Sequence, residues 1–242
     1  MNISIIGFGQ MGQFMAQKLS KRNNVLVADP INKEKEAEKL NLEWTTIEEA
    51  AKNDIIFLFP PIDKIESLCK QIAPHLKPNS IVCDGCSVKV NPTKIMKDTL
   101  PNNIQIIGTH PLFGPQSGKN GIKGLTIVLC PITTDDITPI LDLFKEIKLN
   151  IEVMTPEQHD KAMAETQCLE LFLGKILNKM NLQDPTISTP GFDLLWKLKE
   201  LLKEDSDELF TLIQKQNPFA ENIRHKFMET TTKIEEALKN GA

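Results

Sequence analysis

Residues 7–12 read Gly7-Phe8-Gly9-Gln10-Met11-Gly12, a G-x-G-x-x-G set between a short β-branched run at 3–6 and an amphipathic segment at 11–20. A strand that turns through such glycines into a helix is the phosphate-binding opening of a βαβ unit. The first glycine permits the tight turn, the second lets the backbone approach a pyrophosphate, and the third lets helix and strand pack closely, with the helix N-terminus facing the phosphates. A glycine turn without a ligand is the alternative for the motif alone. Its value rises because Asp29 ends the next apolar run about 20 residues on, where a carboxylate accepts hydrogen bonds from the adenosine ribose. Asp29 would repel a 2'-phosphate and no arginine follows it, so NAD is favoured over NADP. Lys33 and Lys35 weaken that preference unless they are merely solvated. Gly7, Phe8, Gly9, Gln10, Met11, Gly12 and Asp29, with Pro60 after a later strand, make up the expected cofactor site.

The first half of the chain repeats this alternation. Runs at 3–6, 25–28, 55–59, 81–83 and 104–107 are rich in β-branched residues and too short for helices, so they read as buried strands. Helix-period segments at 11–20, 34–40, 47–51 and 64–73 separate them. Further strands are expected at 125–129 and 150–153 around a helix at 135–147. Strands alternating with helices predict right-handed crossovers and a doubly wound, mainly parallel α/β sheet over residues 1–153. Thr155-Pro156-Glu157-Gln158 then supplies an N-cap, a proline at the first helical position and a capping-box glutamine for a helix reaching about Met180. Three more helices are expected at 192–203, 207–216 and 219–239, punctuated by Pro185, Pro190 and Pro218. Residues 154–242 therefore read as an all-helical second domain.

Composition removes several function classes. With 28 basic against 32 acidic residues the chain carries a formal charge of -4, and only Arg22 and Arg224 are arginines, which argues against a nucleic-acid partner. The richest apolar run, at 55–59, stops at Pro60-Pro61, far short of a membrane span. The N-terminus leads directly into a strand rather than a secretory signal, so the expected compartment is the cytoplasm, or an organelle lumen if a transit peptide was removed. Five scattered cysteines point to free thiols rather than a disulfide framework. Cys83-x-x-Cys86 has no second pair or nearby histidines to make a metal site, so no metal is expected.

A dehydrogenase needs a base near the nicotinamide, and the histidines are His75, His110, His159 and His225. His110 follows the strand at 104–107, which places it at the carboxyl end of the sheet, where α/β folds bind ligands. It lies within Gly108-Thr109-His110-Pro111-Leu112-Phe113-Gly114-Pro115, a loop fixed by proline and glycine; a buried structural histidine is the alternative. His75, at a helix end, and His225, on a charged helix face, read as surface residues. Ser87 and Lys89 follow the preceding strand and reach the same rim. Ser87 is suited to hydrogen-bond a substrate hydroxyl or to cap a turn, and Lys89 to attract a carboxylate.

The glycine motif, Ser87-Val88-Lys89, the run THPLFGPQSG at 109–118 and His159-Asp160-Lys161 at the opening of the long helix together resemble the prephenate/arogenate dehydrogenase family, especially its compact arogenate-dehydrogenase-like branch found in plants. The likeness continues through Gly191-Phe192 and the region of Asn217. It implies oxidative decarboxylation of a cyclohexadienol, in tyrosine biosynthesis. His110 would accept the proton of the ring C4 hydroxyl as hydride leaves for NAD, and Ser87 would position that hydroxyl. The candidate substrate site comprises Ser87, Lys89 and Asn217, with Gln116 and Lys119 as rim groups or a plain polar loop, and Arg224 as a carboxylate clamp or a solvated ion-pair residue on a charged helix; the resemblance also implies a homodimer formed by the helical domain. Two departures from many bacterial relatives stand out: Leu171 occupies the position of a second histidine, and Lys197, Lys199 and Glu200 lie where a substrate-binding arginine is found. The scarcity of arginine favours arogenate over the dianionic prephenate. The rival readings are a 3-hydroxyacid or imine reductase of the same architecture, and a non-catalytic NAD-sensing dimer.

Overall fold

In a computed structural model of the chain, which describes residues 2–134, 136–204 and 206–241, the polypeptide divides into two compact units, Met1–His159 and Asp160–Ala242. The division falls within the helix Pro156–Met163 rather than before it, at the junction expected between 153 and 154.

The first unit is built on one eight-stranded sheet. Its strands are β1 (Asn2–Ile6), β2 (Asn24–Ala28), β3 (Glu43–Trp44), β4 (Ile55–Leu58), β5 (Ile81–Asp84), β6 (Gln105–Pro111), β7 (Thr126–Pro131) and β8 (Asn150–Val153). They lie in the order β3-β2-β1-β4-β5-β6-β7-β8, and every adjacent pair is parallel except β6 with β7. The chain runs outward from β1 to β3, then crosses to β4 on the other side of β1, which opens a crevice beyond the carboxyl ends of β1 and β4. Helices α1 (Gln10–Leu19), α2 (Glu34–Lys39), α3 (Ile47–Ala50), α4 (Ile65–Ile72), α5 (Val90–Thr99) and α6 (Thr138–Glu146) connect the strands.

Central strands covered on both faces must be apolar at every position rather than at alternate ones. All four residues of β4 are accordingly buried, as are Ile3, Ile5 and Ile6 of β1. Phe57 tilts against Phe144 of α6 at 5.8 Å between ring centroids, and Phe8 meets Trp44 edge-on at 6.1 Å.

One local expectation is corrected, and two elements lie where none was expected. The strand expected to end at Ile107 runs on through Pro111, because β7 pairs with it as far as Ile127; His110 therefore lies on a strand and not in a loop. β3 is only two residues long, below what periodicity resolves. α5 opens with Val90-Asn91-Pro92-Thr93, a weak helix-forming start whose proline hides the pattern that follows. Asp135, where the last helix of the sheet unit was expected to begin, lies outside the described residues; the helix itself covers Thr138–Glu146.

The capping box forms as its spacing requires. The Gln158 amide N–H donates to Thr155 Oγ1 at 3.2 Å, and the Thr155 N–H donates to Gln158 Oε1 at 2.9 Å. They open α7 (Pro156–Met163), which passes through a π-helical turn, Ala164–Cys168, into α8 (Leu169–Lys179). α9 (Pro190–Leu201), α10 (Asp207–Gln216) and α11 (Ala220–Lys239) complete the helical unit. Leu171 is buried with Cys168, Ile213 and Ala220 in this unit's small core, so an apolar residue there has a packing role. Among the described residues no helix is long and apolar enough to cross a membrane.

Candidate active site

The glycine turn is held from two sides. Gly7 has φ +104°, a conformation L side chains rarely adopt, and a Cβ there would stand 2.6 Å from the Phe59 backbone. A Cβ on Gly12 would lie 1.9 Å from the Gly7 carbonyl oxygen, so α1 can follow β1 this closely only with glycine at that position. Gly9 is different: a Cβ there meets nothing within 4 Å, so open space lies in front of the turn. Gly9 caps α1 with no side-chain hydrogen bond, and no acidic residue lies in the first turn. The N–H groups of Gln10, Met11 and Gly12 thus begin the helix without a side-chain acceptor, as an anion site requires. This opening fits the pyrophosphate of a dinucleotide.

Asp29 follows β2, and its side chain is 9% exposed. Its Oδ2 accepts from the Phe8 N–H at 2.6 Å and its Oδ1 from the Ile31 N–H at 2.9 Å. Lys33 Nζ sits 3.3 Å from Oδ2 and 3.2 Å from the Phe8 carbonyl oxygen. Asp29 thus fixes the glycine turn as well as bordering it. Phe8 is corrected as a direct cofactor contact: its ring is fully buried and its N–H is committed to Asp29. Pro60 follows β4 beside Gly7, its nitrogen 3.0 Å from the position of a Gly7 Cβ.

Further along the sheet, β5 and β6 carry the candidate base and its neighbours. Gly108 on β6 pairs with Asp84 on β5, so His110 extends two residues beyond the carboxyl end of β5 and is clamped opposite Val128 of β7. His110 Nδ1 lies 2.9 Å from His159 Nε2, with the rings edge to face at 68°. His110 Nε2 makes no hydrogen bond among the described residues. Burial first, then the neighbouring His159 and Lys89, hold His110 well below the ordinary histidine range. The ring is neutral at physiological pH, the state a general base requires.

Lys89 is corrected as a substrate-carboxylate residue. It is fully buried, ion-paired with the equally buried Asp84, and donates to the Thr109 carbonyl oxygen at 2.7 Å. An ammonium without solvent contact must be paired, and the short path across the β5–α5 turn delivers it to Asp84. Ser87, in the same turn, is half-buried, and its hydroxyl has no hydrogen-bond partner among the described residues. Gln116 and Lys119 are exposed in the loop after β6. In the helical unit, Asn217 is buried, with Nδ2 donating to the Asp160 carbonyl oxygen at 2.7 Å and Oδ1 accepting from the Phe219 N–H at 2.9 Å. Arg224 Nη1 donates to the Gln214 carbonyl oxygen and Oε1 at 2.9 and 2.8 Å. Both side chains therefore hold helices in place, a commitment that a reading of exposed polar residues misses. His225 is exposed, as its charged helix face predicts, and His75 is half-buried.

All five cysteines are free and buried. Burial, reinforced by Asp84, pushes the Cys69 thiol up to about 12 and holds Cys83 and Cys86 well above the ordinary value, so none of these three is a thiolate nucleophile at neutral pH. Among the described residues no cluster of three or more histidine, cysteine or carboxylate groups is arranged to hold a metal.

His159 is the histidine that the sequence brings forward without a role of its own. Its signal was present, since the capping box assigns it to the first turn of a helix, but its ring contact with His110 spans 49 positions along the chain.

Comparison with known proteins agrees with this arrangement. Residues 15–162 match the family model "Prephenate dehydrogenase, nucleotide-binding domain", and residues 176–242 match "TYRAAT1-like, C-terminal domain". The chain is 28% identical over 99% of its length to a probable arogenate/prephenate dehydrogenase of Methanocaldococcus jannaschii, covering 57% of that protein. It is 30% identical over 94% of its length to arogenate dehydrogenase 1, chloroplastic, of Arabidopsis thaliana, covering 37%. The chain thus spans between about a third and somewhat over half of these relatives. Among solved structures, prephenate dehydrogenase of A. aeolicus in complex with hydroxyphenyl propionate and NAD+ superposes with a TM-score of 0.80 at 20% identity, over 99% of this chain and 91% of that one. Synechocystis arogenate dehydrogenase gives 0.76 at 22%, over 100% and 93%. At these identities the two structures show a shared fold.

Proposed function

The chain belongs to the prephenate dehydrogenase family, and from that premise we propose that it oxidatively decarboxylates arogenate, prephenate or both, using NAD, in the formation of tyrosine or its 4-hydroxyphenyl keto acid. One observation carries the reading: a neutral, buried histidine with an unengaged Nε2 stands at the same carboxyl edge of the sheet as an open, uncapped glycine turn.

The turn at Gly7, Gly9 and Gly12, the N–H groups of Gln10 and Met11, Asp29 and Pro60 would hold the dinucleotide. When bound, its nicotinamide supplies the hydride acceptor. His110 Nε2 takes the proton of the ring hydroxyl as the carbon bearing it is oxidised, and the Ser87 hydroxyl hydrogen-bonds that oxygen. Loss of the ring carboxylate as carbon dioxide makes the ring aromatic and drives the reaction forward. Gln116 and Lys119 offer polar groups on the loop after β6. Arg224 uses only Nη1 for Gln214, so Nη2 and Nε are the groups that would meet a substrate carboxylate. The paucity of arginine favours the zwitterionic arogenate. We further propose a homodimer formed through the helical unit and a cytoplasmic setting, or an organelle lumen as in the chloroplastic relatives.

The test is NADH formation by the purified chain with arogenate and with prephenate, each repeated with NADP. Turnover with either substrate supports the reading. A protein that binds NAD yet turns over neither is a reductase of another substrate or an NAD sensor. Light scattering at micromolar concentration tests the dimer, and a monomer there overturns it.

A further inference from the structure

We propose that His159 is a positioning residue that holds His110 in the tautomer a base needs, with the proton on Nδ1 and the lone pair on Nε2. This deepens the functional reading above and rests on it for its catalytic meaning, although the tautomer itself is a property of the resting protein.

The geometry carries it. A neutral imidazole has one N–H and one lone pair, so a His–His contact at 2.9 Å requires one ring to donate and the other to accept. If His110 accepted at Nδ1, its Nε2 would carry the hydrogen and could not take a proton from a substrate. If His110 donates from Nδ1 to His159 Nε2, its own Nε2 lone pair is free. Only the second arrangement leaves a base at the atom that makes no hydrogen bond among the described residues.

Both rings are packed to the point where rotation is costly. His159 has no exposed surface and His110 4%. His110 is fixed by strand pairing with β7, and His159 by the first turn of α7, whose N–H donates to the Thr155 carbonyl oxygen at 3.0 Å behind the Thr155–Gln158 capping box. The Lys89 ammonium and the Asp84 carboxylate at this end of the sheet are paired with each other, and the group in contact with His110 Nδ1 is an imidazole nitrogen. This choice has a chemical consequence. A carboxylate at Nδ1 would raise the basicity of the ring, whereas His159 orients it and, after burial and together with Lys89, helps to keep it unprotonated. When the substrate hydroxyl proton reaches Nε2, the resulting imidazolium keeps its Nδ1 proton directed at His159 Nε2, so the ring holds its orientation without further proton transfer.

The experiment uses the full chain labelled with 15N in histidine. Long-range proton–nitrogen correlation spectra at pH 7.5 are expected to show His110 with a protonated Nδ1 and a bare Nε2. His159→Gln places an amide oxygen near the position of the ring Nε2 and should keep that signature. His159→Leu removes the acceptor and should populate the opposite tautomer. With the substrate that is turned over, kcat should fall by roughly 10²-fold or more in His159→Leu, with KM within about twofold, and His159→Gln should recover at least about tenfold of the loss. A wild-type His110 protonated on Nε2 overturns the proposal outright, as does a folded His159→Leu chain with unchanged tautomer and kcat. If the leucine variant fails to fold, the wild-type spectrum and the glutamine variant still decide. Absence of turnover in the wild type would instead overturn the functional reading, and the tautomer measurement would stand apart from it.

Discussion

Lys89 and Asp84 form an ion pair with neither side chain exposed to solvent, and the same ammonium holds the carbonyl oxygen of Thr109, the residue immediately before His110. Thr109 Oγ1 donates in turn to the Asp84 carbonyl oxygen at 2.5 Å, and Cys86 N–H donates to Asp84 Oδ2 at 3.0 Å. Gly108 leaves room for this path: a Cβ there would stand 3.1 Å from Lys89 Cδ and 2.8 Å from Thr93 Cγ2. The charges thus act as a strut beneath the histidine.

Removing one partner of such a pair strands a buried charge. Lys89→Met is expected to destabilise the fold by about 3–5 kcal/mol, while Lys89→Met combined with Asp84→Leu recovers most of that loss. Urea unfolding of the two variants checks it, and a double variant as unstable as the single one would contradict the assignment.

His110→Gln should lower kcat by roughly 10²–10⁴-fold while leaving NAD affinity near that of the wild type. Steady-state kinetics with parallel cofactor titration separates the two effects, and near-wild-type turnover would exclude His110 as the base.

The depressed basicity of His110 also makes stability depend on pH. The folded chain protonates this ring only well below the ordinary value of 6.5, whereas the unfolded chain protonates it near that value. Between those limits the unfolded state binds more protons, so stability falls as pH drops below about 6.5 and recovers as pH rises above it. Melting temperatures of wild type and His110→Gln, compared between pH 7.5 and 5, should show the wild type losing more on acidification. Parallel curves would contradict the shift.

Gly9 and Gly12 should respond differently to the same added methyl group. Gly9→Ala has room and is expected to fold with an unchanged melting temperature but with NAD affinity lowered, because the methyl occupies the space in front of the turn. Gly12→Ala collides with the Gly7 carbonyl oxygen and should cost about 1–3 kcal/mol or more in stability. Differential scanning calorimetry with and without NAD distinguishes the two.

Lys33, beside Asp29, places a positive charge where a 2'-phosphate would otherwise meet only a carboxylate. Lys33→Ala should lower kcat/KM for NADP by about tenfold, equivalent to about 1.4 kcal/mol, and leave that for NAD within about twofold. An equal loss with both cofactors would show instead that Lys33 serves the turn through the Phe8 carbonyl oxygen.

The local order of the chain determined the alternation of strands and helices, the glycine turn with Asp29 downstream, and the start of α7. Each of these depends on residues within a few positions of one another: β-branched runs form strands, small residues permit tight turns, and Thr155 reaches Gln158 three positions on. The length of β6 was not legible in this way, because it depends on antiparallel pairing with β7 across an intervening loop. Nor were the roles of Lys89, Asn217 and His159. A lysine reads as a surface charge until the fold seals it against Asp84, an asparagine as a rim group until Asp160 and Phe219 take its amide, and a histidine on a helix as one of four until its ring lies 2.9 Å from another. Burial and partners separated by tens of residues are properties of the packed chain. The tertiary structure therefore decided which polar groups are held in place and which, like His110 Nε2 and the Ser87 hydroxyl, make no hydrogen bond among the described residues.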